Sequence, residues 1–259
     1  FDEAASRLVE IAIADSQDER QQSNKTAFEG LFRLYMSGTM AGPKQRLAFI
    51  ESLLRSGQEA KVDLGMSAFD SMLETRWFGS VDSFDFGARP RSFGWEPSSP
   101  QDVTDWFEPT INVLKDIAVS GVPMAVRARQ ILAARFRGLW WRTTARELLG
   151  DVMRVIAERS FWSEGWIAVR SAIRFAPDGA DVGDLAAMEA HLRPKNLLEQ
   201  ARAYGFSKGY ASQDLDDLDE DQDGSWWSRA EKRTEEIAQA VAIDDEVRAQ
   251  LLPDLVRSG

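Results

Sequence analysis

Gly205-Phe206-Ser207-Lys208-Gly209 carries the letters of the G-x-S-x-G nucleophile elbow, a strand-to-helix turn that exposes a serine for acyl transfer. That chemistry needs a buried strand before the serine and a histidine after it. Here the helix-forming run Leu197-Leu198-Glu199-Gln200-Ala201-Arg202-Ala203-Tyr204 precedes it, and the single histidine, His191, comes before Ser207. The stretch therefore reads as a Gly-rich turn between helices. His191 reads as a polar group meeting free carbonyls at a helix end. A second candidate is Asp219-x-Asp221-x-Asp223-Gly224, the first half of an EF-hand calcium loop. Its second half is missing: Ala230 stands where a bidentate Glu is needed, and Glu231, one residue late, points about 100° away on a helix. A solvated acidic linker feeding negative charge to the next helix is the stronger reading over a non-EF cation site.

With no cysteine and one histidine, the chain has no thiolate nucleophile, no disulfide, and no Cys- or His-based metal site. No Walker-type G-x-x-x-x-G-K-[ST] occurs. The sequence thus names no catalytic residue, no metal ligand and no cofactor, and the chain reads as a non-enzyme. What remains is a loop over residues 76–101, with six aromatics, three Gly and three Pro. Asp85, Arg89, Arg91, Trp95 and Glu96 bring charge and flat surface together there, which suits a peptide, a nucleotide base or another domain. The competing reading is that the loop folds back and covers the seam between two helical repeats. A small anionic ligand between this loop and helix 123–142, met by Arg89, Arg91, Arg135 and Arg142, is the alternative function.

The elements that must hold these residues are helical. Apolar residues recur at helical spacing over 2–14, along the stripe Phe28, Leu31, Phe32, Leu34 and Tyr35, and again from Leu47 to Leu54 after the break at Gly42-Pro43. Further helices are predicted after Gly57; from a cap at Asp102 or Thr104 to Gly121, with Pro109 inside; over 123–138; over 145–159 after a cap at Thr143 or Thr144; over 164–175; over 182–192; and over 194–204. A C-terminal hairpin at 225–241 and 244–256 would pack through Trp226, Ile237, Val241, Val247, Leu251, Leu252 and Leu255. Ala125-Val126-Arg127 returns as Ala168-Val169-Arg170, 43 residues later. That period fits a HEAT or armadillo unit. The expected fold is all-α: a HEAT/armadillo-like α-solenoid of antiparallel helix pairs with an inserted aromatic loop. Its expected divisions are an N-terminal helix and polar linker (1–24), the solenoid (25–212), an acidic linker (213–224) and a capping hairpin (225–259).

In 259 residues the formal net charge is −11, which disfavours a general binder of phosphate backbones. A nucleic-acid reading would need Arg127, Arg129, Arg135, Arg137, Arg142 and Arg146 to form one basic stripe. The simpler reading makes them the wet faces of two helices. No run of 18 apolar residues and no signal peptide is seen, so no membrane partner is expected and a cytoplasmic setting fits. The start at Phe1, already inside a helical pattern, suggests a piece of something longer.

Three stretches, Leu31 to Met40, Phe86 to Trp95 and Trp162 to Arg170, give the chain a resemblance over about residues 28–175. It resembles the helical-repeat region of large bacterial NTPase-associated proteins of the STAND or NACHT-like type. The resemblance implies a regulatory or sensing α-solenoid attached to a separate P-loop engine and an effector domain. It carries over no functional residue. The leading expectation is a scaffold or sensor segment that binds a protein partner, or another domain of its parent chain, through the aromatic loop.

Overall fold

A computed structural model of the chain describes residues 1–15, 23–75, 93–205 and 226–258. Among these residues the secondary structure is helical: α1 (Asp2–Asp15), α2 (Ser23–Gly30), α3 (Pro43–Leu54), α4 (Glu59–Met72), α5 (Pro100–Val119), α6 (Ala125–Arg142), α7 (Arg146–Ala157), α8 (Ser163–Arg174), α9 (Gly183–Leu192), α10 (Leu197–Gly205), α11 (Trp226–Ile243) and α12 (Asp245–Ser258). The all-α class is thus observed. The acidic stretch 213–224, Ser207 of the elbow-like motif, and most of the aromatic loop, with Asp85, Arg89 and Arg91, lie outside the described residues. The chain forms two compact units, Phe1–Leu149 and Gly150–Gly259, and the division falls inside α7.

In the first unit α4 is the central helix, packing on α1, α2, α3, α5 and α6. Its run Leu64-Gly65-Met66-Ser67-Ala68-Phe69 is buried without interruption. Small and apolar side chains on all sides let neighbours approach from every direction. Its polar positions face α6. Arg127 reaches Asp63 at 2.5 Å, Arg135 holds both oxygens of Asp70 at 2.7 Å and also bonds Glu74, and Arg142 donates to the Thr75 carbonyl at 2.7 Å. Near this seam Gly138 of α6 meets the segment just after α4: a Cβ there would run into Thr75 Oγ1. In an isolated helix Gly→Ala stabilises by about 1 kcal/mol. Here Gly138→Ala is expected to do the reverse, lowering stability by about 1–3 kcal/mol in denaturant unfolding through overpacking against a buried side chain.

Two helix assignments change. The Phe28–Tyr35 stripe is not one helix: α2 ends at Gly30, and the chain turns through i→i−3 bonds at Leu31, Phe32 and Arg33. Beyond that turn the Arg33 carbonyl accepts from the Arg46 guanidinium at 2.8 Å, one of the partners that the non-helical backbone finds. The second change is at α5, whose cap is Ser99. Asp102, expected as a cap, is instead the third helical residue and completes a capping box with Ser99. Pro109 is accommodated within α5.

In the second unit α8 packs on α9, and α10 packs on α8, α11 and α12. Ala201, Ile237 and Leu251 form a small core joined by Leu197, Leu198, Tyr204, Val241 and Val247. Leu252, expected in this core, is exposed, and the side chains of Trp226 and Leu255 lie outside the described residues. A second, polar centre is Glu189. It accepts from Trp166 Nε1 at 2.8 Å, Arg170 Nη1 at 3.2 Å and Arg193 Nη2 at 2.8 Å. Burial alone would raise the Glu189 carboxyl. The hydrogen bonds from Arg193 and Trp166, with the charges of Arg193 and Arg170, outweigh it and hold the group below the usual glutamate value.

The 43-residue echo joins unlike places. Ala125-Val126-Arg127 opens α6 with Val126 exposed and Arg127 reaching Asp63, whereas Ala168-Val169-Arg170 lies inside α8 with Val169 and Arg170 buried.

Candidate functional site

The segment from Ser37 to Ala41, between α2 and α3, has no regular structure, so its backbone groups need other partners. Arg46 supplies them from inside α3. Its guanidinium is fully buried and donates to Ala41 O and Ser37 Oγ at 2.8 Å, besides Arg33 O, and to Thr39 O at 3.4 Å. No carboxylate pairs with it among the described residues. Burial pushes its pKa down to about 10, which leaves it charged at pH 7. One face of that charge lies over the Trp106 ring, 5.0 Å from the centroid.

Trp106 carries the next layer. It is fully buried in α5, and its indole N–H donates at 2.8 Å to the carbonyl of Met72, at the C-terminus of α4. This satisfies one of the carbonyls that a helix end leaves without a partner. Trp95 stacks on Trp106 with centroids 5.7 Å apart and planes 12° from parallel. The Trp106 ring thus touches both the buried Arg46 guanidinium and the half-buried Trp95 indole.

The backbone holds Trp95 in that position. Trp95 N–H donates to Thr39 O at 2.8 Å, and Gly38 N–H donates to Phe93 O at 2.9 Å, so residues 38–39 and 93–95 lie alongside each other. Between them Gly94 has φ +110°, and a Cβ there would sit 2.7 Å from Thr39 O and 2.8 Å from Thr39 N. Both neighbours are backbone, and the φ itself strains an L side chain. Gly94→Ala is expected to release this crossing at a cost of about 2 kcal/mol or more, read as faster amide exchange at Gly38 and Trp95.

No protein-family model, curated protein or solved structure matches this chain. The geometry of the site itself therefore carries the functional reading. In front of Trp95 opens a cleft of about 560 Å³, floored by Pro43, Leu47, Trp95 and Pro109 and edged by Lys44, Asp102 and Asp105. Its size suits a small ligand or a short peptide stretch. Asp102 accepts from Ser98 Oγ at 2.7 Å, from Ser98 N–H at 2.8 Å and from Ser99 N–H at 3.0 Å, and these bonds lower its pKa.

Of the binding residues expected from sequence, Trp95 lies in this cleft. Arg135 and Arg142 lie instead on the α4–α6 seam. There Arg135 is committed to Asp70 and Glu74, and Arg142 donates to Thr75 O. Asp85, Arg89 and Arg91 are outside the described residues. The structure adds Arg46, Gly94, Asp102, Asp105 and Trp106, none of which the sequence reading assigned to a binding site. Arg146, the last of the arginine cluster, lies over the Trp140 and Trp141 rings. Among the described residues no group of three or more His, Cys, Asp or Glu side chains could hold a metal ion. No described helix is long and apolar enough to cross a membrane. His191 occupies the last turn of α9.

Proposed function

We propose that this chain is a non-enzymatic helical interaction segment that binds a protein partner, or another domain of a larger parent protein, through the face around Trp95. One observation carries the reading. Met36, Met40 and Phe93 are 40%, 70% and 62% exposed on the two segments whose backbones are otherwise held rigidly by Arg46 and by the Thr39–Trp95 bond. Large apolar side chains held out to solvent on a fixed backbone, beside an aromatic cleft, are what a protein-binding face offers. Met side chains adapt to an irregular partner.

The finer architecture belongs to the same proposal. A HEAT-like array is supported by the packing of α1 with α2, α3 with α4 and α5 with α6, and by the contacts of α4 with both flanking pairs. In the STAND or NACHT-like proteins it resembles, such an array regulates a separate P-loop engine. We extend that role, and a cytoplasmic setting, to this chain as part of the proposal. A nucleic-acid partner is disfavoured because Arg127 and Arg135 are matched to Asp63, Asp70 and Glu74.

The test is selection of displayed random dodecapeptides on the intact chain, followed by affinity measurement on the double variant Met40→Ser, Phe93→Ser. Exposed positions of this kind change stability by no more than about 0.5 kcal/mol. The expected result is a loss of roughly tenfold or more in affinity with an unchanged unfolding midpoint. Binders indifferent to both substitutions would overturn the proposal.

A further inference from the structure

We propose that the Trp95 cleft receives an arginine side chain from a basic, apolar-flanked segment of the partner. The inference rests on the protein-binding reading above and gives the partner a chemistry. Three observations converge. The first is a planar indole, half-buried and backed by Trp106, lining the cleft. A guanidinium stacks on such a plane better than an ammonium does, because it is flat and weakly hydrated.

The second is two carboxylates without a counter-cation. Neither Asp102 nor Asp105 forms an ion pair among the described residues. Asp102 uses Oδ2 for Ser98 and Ser99, and Asp105 uses Oδ1 for Gln101 at 2.8 Å. The other oxygen of each is left to accept from a guanidinium fork. The bonds from Ser98 and Ser99 also lower the Asp102 pKa, which favours its charged form.

The third is charge balance. Among the described residues Lys44 is the one cation lining the cleft, an exposed side chain against two acids. A net charge of −11 over the chain adds long-range attraction for a basic segment. The apolar floor of Pro43, Leu47 and Pro109 takes the arginine stem and an apolar neighbour.

The test uses peptides from the dodecapeptide selection, resynthesised with citrulline in place of arginine, which keeps the shape and removes the charge. The protein counterpart is Asp105→Asn, an exposed position outside the capping box. The expected result is that binders sensitive to Met40 and Phe93 carry arginine. Both citrulline replacement and Asp105→Asn should then weaken them by roughly tenfold or more, without shifting the unfolding midpoint. If such binders lack arginine, tolerate citrulline or ignore Asp105→Asn, the inference is overturned while the binding face stands. If no binder depends on Met40 or Phe93, the face and the inference fail together.

Discussion

Arg46→Met is expected to destabilise the first unit by about 3 kcal/mol or more, because buried acceptors that lose their donor cost about 1–3 kcal/mol each. Methionine roughly retains the stem but offers no donor. Arg33 O and Ala41 O and the Ser37 hydroxyl then lose 2.8 Å partners, and Trp106 loses the cation against its ring. Arg46→Lys keeps a charge but not the fork, so it should recover only a fraction of the loss. Amide exchange resolves the effect: protection should fall first at Gly38 and Trp95, the two N–H groups that tie the crossing segments together. A variant as stable as the parent would mean that the buried guanidinium does not hold the segment.

The second large effect belongs to Glu189. Removing one partner from a buried ion pair typically costs about 3–5 kcal/mol. Glu189→Ala is expected to fall in that range, since Glu189 and Arg170 are both buried and Trp166 loses its acceptor. The pH dependence has a fixed sign. The folded-state pKa is lowered from the ordinary 4.5, so the stabilisation is fully present above that value. It is lost as pH falls through the still lower folded value. The stability difference between the parent chain and Glu189→Gln should therefore be constant near neutral pH and shrink in acid. Urea unfolding as a function of pH measures it, and a difference that grows in acid would reverse the assignment.

The helices were legible because apolar spacing at helical period records which face is buried. Breaks at Gly42-Pro43, Gly57 and Gly121 marked their ends. Spacing misled at one stripe. Phe28 to Tyr35 has helical spacing, yet the helix stops at Gly30 and the carbonyl of Arg33, past the turn, bonds Arg46 instead. Nothing local distinguishes Arg46 from the exposed Lys44 and Gln45 beside it; burial of one arginine among polar neighbours is decided by tertiary packing.

Trp95 was found as a flat surface in a Pro-rich loop, but its partner Trp106 lies inside the helix predicted up to Gly121, where spacing gives it no role beyond the core. Arg135 was assigned to an anionic ligand. The missed signal is the closeness of Asp70, in the last turn of α4, and Glu74, just beyond it, which supplies two carboxylates to a single guanidinium. The repeat echo does not mark equivalent positions, since Val126 is exposed and Val169 is buried; three small or common residues recur by chance more easily than a whole buried stripe does.

The most direct measurement of the central claim is a titration of the isotope-labelled chain with a selected peptide, followed through its tryptophan indole N–H resonances. The Trp95 signal is assigned by Trp95→Phe. The account predicts that the Trp95 indole and the Phe93 amide shift saturably while the indoles of Trp162 and Trp166, in the second unit, stay in place. Shifts centred on Trp162 or Trp166, with Trp95 unmoved, would contradict it.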